Sequence, residues 1–299
     1  MKKLTIMALA VALLTACEKP VFDETDTAPS SPSDTTSGES APGKKFTFTL
    51  KGDFSADWRP VTRSYLQTDG RDLTDVWVID YMDGRLVQQL HQSDNTSEDF
   101  GRPVLTLAYG SHHVYFIAAR GSSPVLDTNA KTITFGSVRE TFWKDYEVSV
   151  VATSNGNRAV TLDRVVTKLK LSFTDAIADG TSFIEITPHT WYYGLNYETG
   201  EPVGSATDRT TSVTVPASEI GSTTTTVSLF GFSTAAQWTT DVAVRSIKSD
   251  NTVLGSATIP DAPFKANRIT EYSGPLFNAS GSLTISINST WDDSYQGTW

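Results

Sequence analysis

The chain has 299 residues, a formal net charge of −10, 38% hydrophobic and 19% charged residues, and a single cysteine. The acidic balance disfavours nucleic acid and anionic lipid surfaces as partners, and one cysteine excludes an intrachain disulfide. The polar excess is Thr and Ser, which together with Val and aromatic residues favours strands.

Lys2 and Lys3 precede a mostly apolar run, Leu4–Leu14. The run is too short to span a bilayer as a helix and has the layout of a secretory signal. Leu14-Thr15-Ala16-Cys17 closes it and resembles a bacterial lipobox. The resemblance implies that residues 1–16 are removed and that Cys17 becomes the first residue, carrying a diacylglyceryl thioether and further acyl chains such as palmitate. Two or more acyl chains give stable anchoring, and nothing after Leu14 is apolar enough to cross a bilayer as a helix. Residues 17–43 are rich in Pro, Ser, Thr, Asp and Gly, with Val21 and Phe22 as their large apolar residues. Such a segment buries too little to offset its ordering entropy and reads as a disordered tether.

From Lys45 onward the pattern is β. Phe46, Phe48 and Leu50 alternate with Thr47 and Thr49, a half-buried strand of period two. A polar stretch follows, including Trp58-Arg59-Pro60-Val61-Thr62-Arg63. The run Asp75–Tyr81 is apolar on both faces, as a central strand is, and Asp83-Gly84 turns it into Leu86–Leu90 as a hairpin. Val104–Leu107 and Val114–Ala118 read as a further strand pair across Tyr109-Gly110-Ser111. Asp145–Val150 ends near Asn155-Gly156, a second tight-turn signal. Asp163–Phe173 is the clearest amphipathic strand, with Val165, Thr167, Leu169, Leu171 and Phe173 on one face. Further strands are expected at 183–186, 225–232, 241–247, 253–259 and 283–287, with single helical turns around 175–179 and 217–220. Many short strands with turn punctuation and no helical period indicate an all-β chain of sandwiches. With a boundary near Val160, residues 44–160 and 161–299 form two tandem β-sandwich domains after the signal and tether. The two together hold about 255 residues, a normal size for a pair of domains.

Catalytic signals are sparse. His112 and His113 are adjacent in a strand, so they point to opposite faces and cannot chelate one metal together. There is no spaced Cys or His/carboxylate set for zinc, no nucleophile elbow, no phosphate loop and no dinucleotide fingerprint. Asp292-Asp293 reads as a solvated turn rather than a glycosidase pair, whose acids are adjacent in space. Of the seven tryptophans, Trp77, Trp143 and Trp191 read as core aromatics rather than a sugar-binding platform. The expectation is a protein that is not an enzyme and has no cofactor or metal.

Several stretches in order resemble the fimbrillin family, the subunits of lipoprotein-derived (type V) pili of Bacteroidales. They are Thr62-Arg63 after the first strand; the strand–Asp-Gly–strand unit Val76–Leu90; Val114–Ala119 after Tyr109-Gly110; and Leu162-x-Arg164-x-x-x-Lys168. Towards the end come Asn267-Arg268-Ile269-Thr270, the segment Tyr272–Phe277, and Trp291. The resemblance implies two transthyretin-like sandwiches, export as a lipoprotein to the cell outer membrane, and assembly into a fimbrium that serves cell adhesion. An Arg-specific protease would cut after Arg63, which Ser64 follows, whereas Arg59 is followed by Pro60. Cutting would release the strand bearing Phe46, Phe48 and Leu50, and a strand of another subunit would fill the groove by strand exchange. Leu283, Ile285 and Ile287 are the candidate donor strand. About a dozen residues follow Ile287, so a long separate donor arm is not evident, which suits a tip, accessory or anchor subunit better than a repeating stalk. The implied partners are other fimbrial subunits, the outer membrane through the lipid on Cys17, and a host or bacterial surface glycan or protein. The alternative expectation is a cell-surface glycan-binding lipoprotein gripping sugar with exposed tryptophans.

Overall fold

The structure is a computed structural model and describes residues 43–52, 73–120, 124–277 and 284–285. Cys17, tether residues 17–42, Arg63, Leu283, Ile287, Asp292-Asp293 and Trp291 lie outside the described residues, while Gly43 at the end of the expected tether opens the first strand. Within them the chain is all-β, and its helical content is one 3-10 turn at Ala217–Glu219, inside the 217–220 stretch where a single turn is expected. The stretch 175–179 forms no helical turn.

The first half builds a seven-stranded sheet in the order β3-β2-β5-β8-β9-β1-β4. Its strands are β1 (Gly43–Gly52), β2 (Asp75–Met82), β3 (Arg85–Gln92), β4 (Val104–Ala108), β5 (Gly110–Ala119), β8 (Thr141–Val150) and β9 (Asn157–Arg164). The sheet folds over at the β8–β9 junction, where Phe142 pairs with Arg164 and Trp143 with Asp163. Strands β1, β4 and β9 thereby face β2, β5 and β8 across one core, which contains Phe46, Phe48, Leu105, Leu107, Phe116 and Leu162.

Two further sheets are built mainly from the second half. One runs β19-β18-β10-β15-β12-β7-β6, with β13 paired to β12. These are β6 (Val125–Asp127), β7 (Thr132–Thr134), β10 (Val166–Phe173), β12 (Thr190–Asn196), β13 (Pro202–Thr207), β15 (Thr226–Phe232), β18 (Ile269–Gly274) and β19 (Thr284–Ile285). The other runs β14-β11-β16-β17, made of β11 (Phe183–Pro188), β14 (Thr211–Thr214), β16 (Trp238–Ile247) and β17 (Val253–Phe264). A second core lies between them, with Leu169, Leu171, Ile184, Ile186, Val244 and Phe264 among its members.

The predicted central character of β2 has a direct cause. Val76 and Val78 point into the first core, while Trp77, Ile79 and Tyr81 point the other way into a third core. That third core joins the halves, since Tyr115 and Ile117 meet Ile133, Val166, Leu195, Tyr197 and Phe232 there. The hairpin β6–β7 precedes Val160 in sequence yet pairs with β12, with Gly194 opposite Thr134.

The β2–β3 hairpin forms as expected, with positive φ at Asp83 and Gly84 (50° and 73°), as a two-residue hairpin turn requires. Three expectations need correction. The strand expected over Asp163–Phe173 is broken at Val165: Asp163 and Arg164 end β9 in the first sheet, and Val166–Phe173 is β10 in another. Strands β4 and β5 do not pair with each other: β4 pairs with β1, whereas β5 lies between β2 and β8. Gly110, at φ 141°, makes a corner that carries the chain from one layer to the other, a conformation closed to most side chains. Asn155-Gly156 is not a tight hairpin turn either, because β8 and β9 are in register only at their far ends. Gly156 is needed for another reason, given below.

Candidate functional site: the first strand and its groove

Strand β1 is held on both sides. Residues 43–47 run antiparallel to β4, with Phe46 opposite Leu105. Residues 47–52 run parallel to β9, with Leu50 opposite Val160. Phe48 N–H donates to the Pro103 carbonyl and Leu50 N–H to the Gly101 carbonyl, both at 3.0 Å. Thr47 N–H donates to the Gly156 carbonyl at 2.6 Å. The alternation read in the sequence puts Phe46, Phe48 and Leu50 inward, where Phe46 and Phe48 are fully buried and Leu50 nearly so. Phe48 packs at 5.1 Å from Phe116 and edge-on to Tyr146 at 5.9 Å, and the Arg158 guanidinium covers the Phe46 ring at 5.2 Å. Two glycines let the backbones approach. A side chain on Gly156 would collide with the Lys45 carbonyl, and one on Gly43 with the Leu107 carbonyl.

The candidate removable strand is therefore an interior strand of its sheet whose side chains complete a core. Of the candidate donor residues, Ile285 is described: it pairs through the backbone with Tyr272 of β18.

Sequence spacing does not reveal a second feature, a polar clasp at the seam where the two edge strands of the seven-stranded sheet meet. His112 and Asp80 have fully buried side chains, with His112 Nδ1 at 2.7 Å from Asp80 Oδ1. The other ring nitrogen, Nε2, lies 3.0 Å from the Ala108 carbonyl, which can only accept. Nδ1 and Asp80 then share a proton. Gln88 Nε2 on edge strand β3 donates to Asp80 Oδ2 at 3.0 Å and to the Thr106 carbonyl on edge strand β4 at 2.9 Å. His113 points to the opposite face, as its adjacency to His112 requires. There it joins Asp145 and Glu147, with ligating atoms within 4.8 Å of one another. Local spacing could not show this set, because β5–β8 register brings it together.

The tryptophans within the described residues do not form a flat platform. Trp77 and Trp191 are buried. Trp143 is half-buried and donates from Nε1 to the Tyr197 carbonyl at 2.8 Å. The Trp191 and Trp238 rings are inclined at 55° to each other.

No protein-family model and no curated protein sequence matches the chain. Solved structures do. A candidate polysaccharide-binding protein of Bacteroides thetaiotaomicron superposes with a TM-score of 0.55 at 9% identity, over 84% of this chain and 98% of that one. A candidate adhesin of Bacteroides ovatus gives 0.50 at 15% identity, over 73% and 83%. The fimbrial anchor protein Mfa2 of Porphyromonas gingivalis superposes more loosely, at 0.48 and 7% identity, over 78% and 91%. What the chain shares with the two Bacteroides proteins is its all-β fold, across nearly the whole length of the first of them.

Proposed function

We propose that this protein is a surface adhesion protein of the fimbrial kind. It would be a pilus subunit of tip, accessory or anchor type, carried to the outer membrane by lipid on Cys17 and assembled by strand exchange after cleavage at Arg63. The observation that carries this reading is the burial of β1. It is the first described strand, it lies between two other strands, and its side chains complete the first core. Cleavage after Arg63 would leave it attached without a covalent link. Its three large side chains contribute about 1.5–3 kcal/mol each by burial, so the strand would remain until an equivalent strand displaced it. The vacated slot would offer unpaired backbone edges on β4 and β9 beside an apolar floor, the arrangement that β-augmentation uses. The fold shared with a candidate adhesin supports the same reading.

An Arg-specific protease applied to the purified full-length chain tests it. The expected result is a new N-terminus at Ser64 together with oligomers on size-exclusion chromatography. A chain cut at Arg63 that stays monomeric, or one that loses residues 43–52 without any change in the first core, overturns the assembly reading.

Glycan binding is the second reading, favoured by the fold shared with a candidate polysaccharide-binding protein. It requires affinity for a polysaccharide in the uncut monomer, measurable by calorimetry.

A further inference from the structure

The face of β5 and β8 that looks away from the first core carries a mixed set of donors. His113 and Glu147 are direct register partners on the two strands, and Asp145 lies two residues back on β8, opposite Tyr115. Side chains alternate along a strand, so all three stand on one face. His113 Nδ1 is 3.2 Å from each oxygen of Asp145. Two donor atoms sharing one cation at about 2.1 Å lie roughly 3.0–3.4 Å apart, so this pair already has the spacing of neighbouring ligands. Glu147 is exposed, and a ligating oxygen of its carboxylate lies within 4.8 Å of those of the other two residues.

The surroundings are short of positive charge. The Glu147 and Glu198 carboxylates are both close enough to Asp145 to repel its charge. Glu198 comes from the turn after β12, which is fixed to β8 by the Trp143–Tyr197 hydrogen bond and by Gly200 lying against the Trp143 ring. Two nearby lysines are already engaged: Lys131 pairs with Glu198, and Lys144 pairs with Asp163 at 3.0 Å.

We propose that His113, Asp145 and Glu147 form a binding site for a first-row divalent cation, with zinc as the best fit and water filling the open positions. One imidazole nitrogen and two carboxylate oxygens suit zinc or manganese, whereas calcium and magnesium take oxygen ligands. The site lies beside the junction of the two halves and does not depend on the assembly reading.

Calorimetric titration of the full-length Cys17→Ser chain with zinc chloride tests the proposal, the serine removing a competing thiol. One saturable ion per chain is expected. His113→Ala and Glu147→Gln should each weaken it at least tenfold. His189→Ala, which breaks the exposed His189–Asp208 pair at 3.1 Å, should leave it unchanged. If a variant fails to fold, the His113 ring resonances of the otherwise unaltered chain decide, since they should shift on adding zinc. Absence of saturable binding, binding that survives combining His113→Ala with Glu147→Gln in one chain, or His113 resonances that do not move overturns the proposal.

Discussion

Arg164 Nη1 donates to Asn267 Oδ1 at 2.7 Å, joining residues 103 positions apart in sequence. The other end of the same guanidinium donates from Nη2 to Glu140 at 2.7 Å, and Glu140 in turn accepts from Arg120 at 3.0 Å. Arg164 ends β9 and Asn267 lies just before β18, so the bond ties the exit of the first sheet to the second half. Next to it, Asn267 N–H donates to the Val166 carbonyl at 2.9 Å, and Lys168 N–H to the Arg268 carbonyl at 3.0 Å. These start the parallel β10–β18 ladder, in which Lys168 lies opposite Ile269.

Asn267 also has a positive φ of 60°, which Asn tolerates better than most residues. Asn267→Ala should therefore lose a hydrogen bond to a charged group and add backbone strain, costing about 2–4 kcal/mol. Asn267→Gly keeps the backbone at ease and should cost less than Asn267→Ala. Urea unfolding of the two variants side by side measures the order, and equal losses would remove the strain component.

The docking of β1 gives a second prediction. Phe48→Ala empties the middle of the first core and should cost about 3–5 kcal/mol. Gly156→Ala acts without removing a contact, because the new methyl meets the Lys45 carbonyl and must push β1 outward. Hydrogen exchange over residues 43–52 should rise in both variants. In Gly156→Ala the rise should be largest at the Thr47 amide, which bonds to the Gly156 carbonyl.

Strand content was legible because period-two alternation is local. Phe46, Phe48 and Leu50 announce their inward face in five residues, and β2 announces its two buried faces by having no polar face. Pairing was less legible, because it depends on where the chain turns between layers. Tyr109-Gly110 looks like a hairpin signal, yet Gly110 serves a corner. Asn155-Gly156 looks like a turn, yet its glycine makes room for a strand more than a hundred residues earlier. Strands β12, β13 and β14 passed unnoticed because their small, polar and aromatic residues do not alternate cleanly. The two motifs 162–168 and 267–270 are separate words in the sequence and become neighbouring strands in the fold.

Alkaline stability gives a third prediction. The Tyr272 hydroxyl is buried and has no hydrogen-bond partner among the described residues, and burial pushes its pKa up to about 12 from an ordinary 10. The phenol ionises more readily in the unfolded chain, so this group's contribution is intact below pH 10 and is lost as pH rises from 10 through about 12. Tyr272→Phe removes both the unpaired hydroxyl and the titration. It should be neutral or stabilising at pH 7, by up to about 1–3 kcal/mol, and its advantage should grow above pH 10. Urea midpoints across that range measure the difference, and a Tyr272→Phe variant less stable at pH 7 would show that the hydroxyl has a partner.

The Asp80–His112 clasp allows the sharpest test of what buried polarity contributes here. Asp80→Ala leaves the His112 imidazole, which is closed to water, and the half-buried Gln88 amide without their shared acceptor. Breaking one side of such a pair costs about 3–5 kcal/mol. Replacing both residues by leucine removes the desolvation penalty along with the attraction, so the Asp80→Leu/His112→Leu double variant should recover much of that loss. Gln88 would then keep its bond to the Thr106 carbonyl but lose the carboxylate that orients it. The two edge strands should therefore breathe more even where global stability is regained. Hydrogen exchange in β3 and β4 separates the outcomes: recovered stability with faster exchange there means the clasp closes the seam, and recovered stability with unchanged exchange means apolar packing closes it unaided.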